Sequence, residues 1–448
     1  MMTPEANYAT LSDYMQTMYK ENGVVSGNIK YFQSHLTYNH YLYPTVSSKG
    51  SRSILDSIKS SDMEEFMGAA NHIEQYNIKF FAPYFVKQTL LNGVSYFYKI
   101  ADSKGITYME FPPSMCRIYA HSSGVYRWEV DISKISSATS LPKELQSAVE
   151  SGAPEGDLEA NKNWSDDGKY YRVGDKGVAF TLDYGAMSHG GTTNSEFANI
   201  IHESIRMRRE KDNIEMKDTL DTTKIIHSKI PIDKDGVPQM PAKTAKIYDT
   251  ALKRSLPKGI AGITSPLEVS VLNMDKAGNF KVYDSLNKAS EQMFMSTGTP
   301  SNLFGAITTS SNIVKLAIQK DANWLYTKVL PLLENYYSYE MSTYKTNSGV
   351  VWKLGFIRQS NFSMKDDVQI PKEGLSNGTS RLRYMAAIGM NPVEACGLLT
   401  LEQQVLDIDS IMVPKSTSFN TSGSEDSEIG RPPTDEPTDD TDRINDAI

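Results

Sequence analysis

The chain has 448 residues, 39% hydrophobic and 22% charged, with a formal net charge of −8. That length and balance fit a globular protein of two or three domains, and the absence of a basic excess argues against a generic sequence-reading nucleic-acid binder. No apolar run approaches the roughly 18 residues of a membrane helix. Two cysteines, Cys116 and Cys396, make no disulfide framework; a protein made in a reducing cytosol is expected. The N-terminus has no basic stretch followed by an apolar block, so no secretory signal is expected.

The first ninety residues read as helices with loops, the last of them running through "FFAPYFVKQTLLNG" and ending at Gly93. Alternation then takes over. "VSYFYKI", "ITYMEF", "CRIYA" and "VYRWEVDI" read as strands of an antiparallel meander, and "KYYRVGDKGVAFTLDYG" as a further hairpin. A long helix is expected from about 195 to 221, with an apolar stripe of Phe197, Ile200, Ile201, Ile205 and Met207. Its second half, from Arg208 to Asp218, carries charges of both signs, which suits solvent or a charged neighbour of the same kind.

A small module follows: a strand in "TKIIHSKIPI", a turn in "DKDGVPQMP", a short helix in "AKTAKIYDTALKRS" and a strand from "GITSPLEVSVLNM". A second helix, ending near 296, returns the chain. The module is therefore expected as a protrusion at the end of an antiparallel helix pair. The loop "MSTGTPSNLFGAITTSSN" comes next, flexible at Gly298 and Gly305 and without a cation from Met295 to Asn312. It is longer than the usual helix–helix link of 2–8 residues. After it runs a long helix to about Met341, which Pro331 should kink. A strand, "GVVWKLGFI", and two or three short helices over 373–412 complete the folded part. From 421 to 448 nine carboxylates face two arginines, in a stretch too polar to bury a core, so 417–448 reads as a disordered acidic tail.

Enzyme motifs are missing. There is no G-x-x-x-x-G-K-[ST] and no G-x-G-x-x-G phosphate loop, and "GAMSHGG" lacks nucleophile-elbow spacing. "IIHESIR" opens like a zinc-binding helix, but Arg206 stands where a second histidine would be needed, so His202 reads as a helix-face residue. His35 and His40 read as packing residues, and Cys116 and Cys396 as structural. Glu64-Glu65 and Asp366-Asp367 read as solvated surface, because adjacent residues on a helix do not face each other. No catalytic residue, cofactor or metal is expected.

The stretch Lys281 to Met341, a helix ending in "MSTGTPSNLFG", then "TTSSNIVK", then a long helix with "LPLLENYYSYEM", resembles the core of tailed-bacteriophage portal proteins, the head–tail connectors. "FPPSMCRIY" at 111–119 and "RLRYMAAIGMNPVEACGLL" agree with it, and the likeness extends over most of the chain through element order. The resemblance implies an α+β portal fold, with long helices around a central channel in a ring oligomer. It implies a wing at 1–194, stem helix 1 at 195–222, a clip at 223–275 and stem helix 2 at 276–296. A tunnel loop at 297–312, the rest of the wing at 313–358, a crown at 359–416 and the tail at 417–448 follow.

The expected function follows from that resemblance: a dodecameric ring at one capsid vertex, with no enzyme activity of its own. Double-stranded DNA is packaged through it by a separate large terminase and ejected through it. Major capsid and scaffolding proteins, and later a head-completion adaptor and tail proteins, would be its partners. It would assemble in the host cytoplasm and reside in the virion, not in a membrane. Thr308, Thr309, Ser310, Ser311, Asn312 and Lys315 would face DNA in the tunnel loop, with Lys320 further along the same helix. Arg206, Arg208 and Arg209 would sit on the stem, and Lys243, Lys246, Lys253 and Arg254 on the docking face of the clip. Hydroxyls without cations suit passage, because fixed phosphate contacts add affinity. Two alternatives stand beside it: another structural virion protein, such as a minor capsid or tail-ring component, which would share the low catalytic content, and a soluble α/β enzyme with an unrecognised site.

Overall fold

The computed structural model describes residues 4–46, 63–103, 105–135, 141–152, 163–189, 193–222, 224–256, 260–266, 288–289, 291–294 and 311–406. It divides into one unit through Ala395 and a second from Cys396. Two helices open the first unit, α1 (Pro4–Glu21) and α2 (Gly23–His35), separated by Asn22, whose Oδ1 accepts the Val24 N–H at 2.9 Å and so caps α2. Strand β1 (His40–Val46) follows, then α3 (Met63–Glu74) and α4 (Ile78–Asn92). Gly93 ends α4 as expected, at φ +78; a Cβ there would lie 2.4 Å from the Asn194 backbone, so only glycine fits.

The main sheet holds β2 (Val94–Asp102), β3 (Gly105–Phe111), β4 (Cys116–Ser122), β5 (Val125–Asp131), β6 (Tyr170–Arg172) and β7 (Gly177–Thr181), with helix α5 (Lys143–Ser151) between β5 and β6. The strands expected to form a meander do not lie side by side. They form two hairpins, β2–β3 and β4–β5, separated by β7, which pairs with both β2 and β5. The expected β6–β7 hairpin is absent for the same reason. The short helical turn Gly174–Lys176 keeps the chain travelling along β5, so β6 pairs with one part of β5 and β7 meets it further on. Alternation identifies a strand, not its neighbour.

One face of this sheet is apolar: Tyr96, Phe111, Ile118, Trp128 and Val130 gather with Tyr8 of α1 and Leu145 of α5. The opposite face is aromatic under α4, where Phe85 meets Phe97 at 4.6 Å and Phe180 at 4.9 Å between ring centres. Further along it becomes ionic. The buried Glu129 pairs with Arg117 at 2.6 Å and Arg172 at 3.4 Å, and Arg117 lies 3.8 Å over the Tyr170 ring.

Helix α6 (Ile200–Thr222), β8 (Lys224–Lys229), α7 (Ala242–Ser255) and β9 (Ile260–Ser265) follow. Then comes the longest helix, α8 (Ser311–Ser342), uninterrupted through Pro331. It packs on β10 (Val350–Phe356), where Glu334 Oε1 accepts the Phe356 N–H at 2.9 Å. β10 pairs antiparallel with β1 from His40↔Phe356 to Val46↔Val350, so the opening region is not purely helical as the sequence reading had it. Pro44 hides that strand from pattern reading, yet a two-stranded sheet tolerates proline where its missing N–H would point outward. Helices α9 (Met364–Ser376), α10 (Arg381–Ala387) and α11 (Pro392–Thr400) follow, the first unit ending within α11 at Ala395. The second unit is described only from Cys396 to Leu406: the end of α11 and one wide helical turn, Leu401–Val405.

Two acidic pairs differ from expectation. Glu65 accepts the Ser348 N–H at 2.7 Å, and Asp367 accepts the Ser360 N–H at 3.1 Å and the Ser363 hydroxyl at 2.7 Å. One member of each pair is thus a cap for neighbouring backbone rather than free surface.

Candidate functional site

Three places carry the residues singled out from the sequence: the start of α6, the module around α7, and the first third of α8. The start of α6 is anchored through α2. Phe197, just before the helix, meets Phe32 of α2 at 5.5 Å, and Asn22 Nδ2 donates to Ser204 Oγ at 3.0 Å. Ile200 and Ser204 are buried and Ile201 and Met207 half-buried, whereas Ile205 is exposed, so the expected stripe holds except at Ile205. Arg206 reaches across to the returning helical residues at 291–294, its Nη1 donating to Gln292 Oε1 at 2.7 Å. On that segment Ala289, Met293 and Phe294 are buried. The two helical segments therefore lie alongside each other, joined across 86 residues of sequence.

Arg208 and Arg209 are exposed and make no ion pair among the described residues. Arg208 lines a groove of about 520 Å³ with Lys211, Met18 and Glu21, at the corner between α1 and α2. His202 is exposed beside Glu203 at 3.7 Å, a helix-face residue as read from the sequence. Among the described residues no group of three or more His, Cys, Asp or Glu side chains could hold a metal ion.

Beyond α6, β8 and β9 pair in parallel with α7 as the crossover between them, a βαβ unit. Lys243, Lys246, Lys253 and Arg254 all lie on α7 and are exposed. Lys253 Nζ donates to Asp249 Oδ2 at 2.8 Å, and that contact holds the Asp249 carboxyl below the usual range. One position of the hairpin before α7 escaped sequence reading as anything beyond a turn: Gly236 turns it at φ +78, and the Ile232 and Val237 that flank the turn are exposed.

Helix α8 changes character along its length. Asn312, Ile313, Lys315, Leu316 and Lys320 are exposed. From Asp321 onward the helix enters the core, with Leu325, Val329, Leu330 and Leu333 buried. The boundary is a buried polar seat. Tyr31 of α2 donates its hydroxyl to Asp321 Oδ2 at 3.0 Å, and burial pushes the Asp321 carboxyl above its ordinary value. Trp324 follows, its ring 5.6 Å from Phe32. At the far end Glu340 is clasped by Lys99 at 2.5 Å and by the Tyr76 hydroxyl at 2.7 Å. The sequence showed nothing of the Asp321 seat, because a lone aspartate after a lysine on a helix reads as surface.

Thr308, Thr309 and Ser310 lie outside the described residues, as does most of the expected second stem helix. Ser311 and Asn312 fall in the first turn of α8 rather than at the end of a loop, and Lys315 lies on that helix, where the sequence placed it. Helix α2 thus seats both the start of α6 and the Asp321–Trp324 region of α8. The described helices include none long and apolar enough to cross a membrane. No protein-family model matches the chain, and no curated protein matches it either.

Proposed function

We propose that this chain is a portal protein, the subunit of a ring at one capsid vertex through which DNA is packaged by terminase and later ejected. One observation carries the reading. A βαβ module stands at the end of α6, the chain returns beside α6 through the Arg206–Gln292 contact, and a 32-residue helix with an exposed first third follows. That order matches stem, clip, returning stem and wing helix. In it Arg206 is a brace between the two stem helices, and Arg208 and Arg209 are left for neighbouring subunits or the capsid opening. Lys243, Lys246, Lys253 and Arg254 form the face offered to terminase and then to a head-completion adaptor. Lys315 and Lys320 flank the channel entrance to α8, where they meet phosphates without the dense grip that would stall sliding.

Electron microscopy of the purified full-length protein, with its mass, tests the reading. Twelve copies of 50.0 kDa give particles of about 600 kDa with a central hole. A protein that stays monomeric at every concentration, with or without the other head proteins, overturns it. Within an assembled head, deleting Thr308–Asn312 is expected to impair packaging or retention of DNA. Heads that fill and hold DNA normally without those residues would remove the channel-loop assignment.

A further inference from the structure

Among the described residues, the module between α6 and the returning segment has little packed around it. Its strands β8 and β9 pair in parallel from Lys224↔Ile260 to Lys229↔Ser265, and neither pairs with another described strand. Parallel sheets stand only with both faces covered, and two strands alone are marginal. Among the described residues a single helix accompanies them, and no residue from Ser228 to Leu256 is buried.

Two parts of the module match each other in chemistry. The first is a groove of about 510 Å³ between α7 and the strands, lined by Ile230, Met240, Tyr248 and Leu252 among others. Its margin carries cations: Lys229 lines it and Arg254 stands near the end of α7, while Lys253 is bonded to Asp249. The second is a finger, Pro231–Gln239. It is held as a hairpin by Asp233 N–H to Val237 O at 3.0 Å and Gln239 N–H to Pro231 O at 2.8 Å. Every one of its nine residues is exposed, with Ile232 at 43% and Val237 at 56%. Its turn carries Asp233 and Asp235 around a single lysine, Lys234. An apolar finger with an acidic tip thus stands beside an apolar groove with cations at its margin.

The finger cannot fill its own groove. It springs from the groove floor, since Ile230 and Met240 are the residues that bound it. Arms of about four residues at roughly 3.3 Å each carry the tip some 13 Å outward. We propose that the finger of one subunit seats in the groove of the next, Ile232 and Val237 against Tyr248 and Leu252, with Asp235 facing Arg254. The contact is heterologous, one face meeting a different face, and such contacts close into rings when the rotation permits. This deepens the ring reading above and rests on it.

The test co-expresses two full-length chains of different tag length, one carrying Asp235→Cys and the other Arg254→Cys, followed by mild oxidation and a non-reducing gel. The expected result is a mixed dimer well above the background of the native Cys116 and Cys396. Either variant expressed alone should give no dimer beyond that background. Intact rings by electron microscopy without the mixed dimer would overturn the finger-in-groove contact and leave the ring reading standing. Monomers throughout would overturn both. As a second arm, Ile232→Asp on the exposed finger is expected to lower the assembled fraction at least tenfold while the circular dichroism of the subunit stays unchanged. Unaltered assembly of that variant counts against the contact.

Discussion

His35 and His40 are both buried. Burial pushes each imidazole down to about 4 from an ordinary 6.5. A base whose folded value is depressed takes up more protons when unfolded, so its contribution to stability is whole above pH 6.5 and is lost as pH falls toward 4. At pH 5 each histidine should cost about 2 kcal/mol relative to pH 7.5. The buried Asp321 and the half-buried Glu110 are shifted upward by burial and act in the opposite sense. Urea unfolding at pH 7.5 and 5.0 reads the loss, and His35→Gln should shrink it by its own share. A loss that ignores the substitution would show His35 to be solvated. Both histidines were legible as packing residues from their aromatic setting. Asp321 was not: its burial is set by Tyr31, 290 residues away, and no local pattern encodes such a pair.

Among the elements, α8 is the most informative, because one helix serves two environments. Its first third exposes Ile313 and Leu316, apolar side chains that a helix in water does not need. Beyond Asp321 the same helix is core. Leu325→Ala is expected to cost about 2–5 kcal/mol in the isolated subunit, as a buried leucine truncated in a packed core. Leu316→Gln, on the exposed third, should stay within about 0.5 kcal/mol in the same unfolding measurement yet weaken assembly of the ring. Equal effects of the two on subunit stability would contradict the division. Helix α8 itself was legible over nearly its full length from its spacing. The change of environment at Asp321 was not, since the apolar pattern continues straight through it. Strand order was likewise hidden. β7 inserts between β2 and β5 because Gly174–Lys176 steers the chain, a three-residue turn with no distinct sequence mark.

At the scale of the whole molecule, charge is arranged rather than merely summed. Most of the net −8 comes from 421–448, whereas α7 concentrates cations on its exposed surface. Truncation after Ser416 is therefore expected to leave assembly intact by size-exclusion chromatography, with the ring's surface charge less negative. Loss of assembly would give the tail a structural role. The α+β class and the βαβ module were readable because each segment has a strong period of its own. The exposure of the finger and of the start of α8 was not, because it depends on how distant segments pack.

The pairing of β1 with β10 has a consequence for how the chain is made. Val46 waits for Val350. At the 5–20 residues per second of protein synthesis, about 300 residues separate the two by roughly 15 to 60 seconds. For that time β1 is an unpaired, tyrosine-rich edge in a crowded cell, open to pairing with another nascent chain. Helix α6, the βαβ module and α8 are all made inside that interval. The small sheet therefore closes late, as a clasp on elements that already exist.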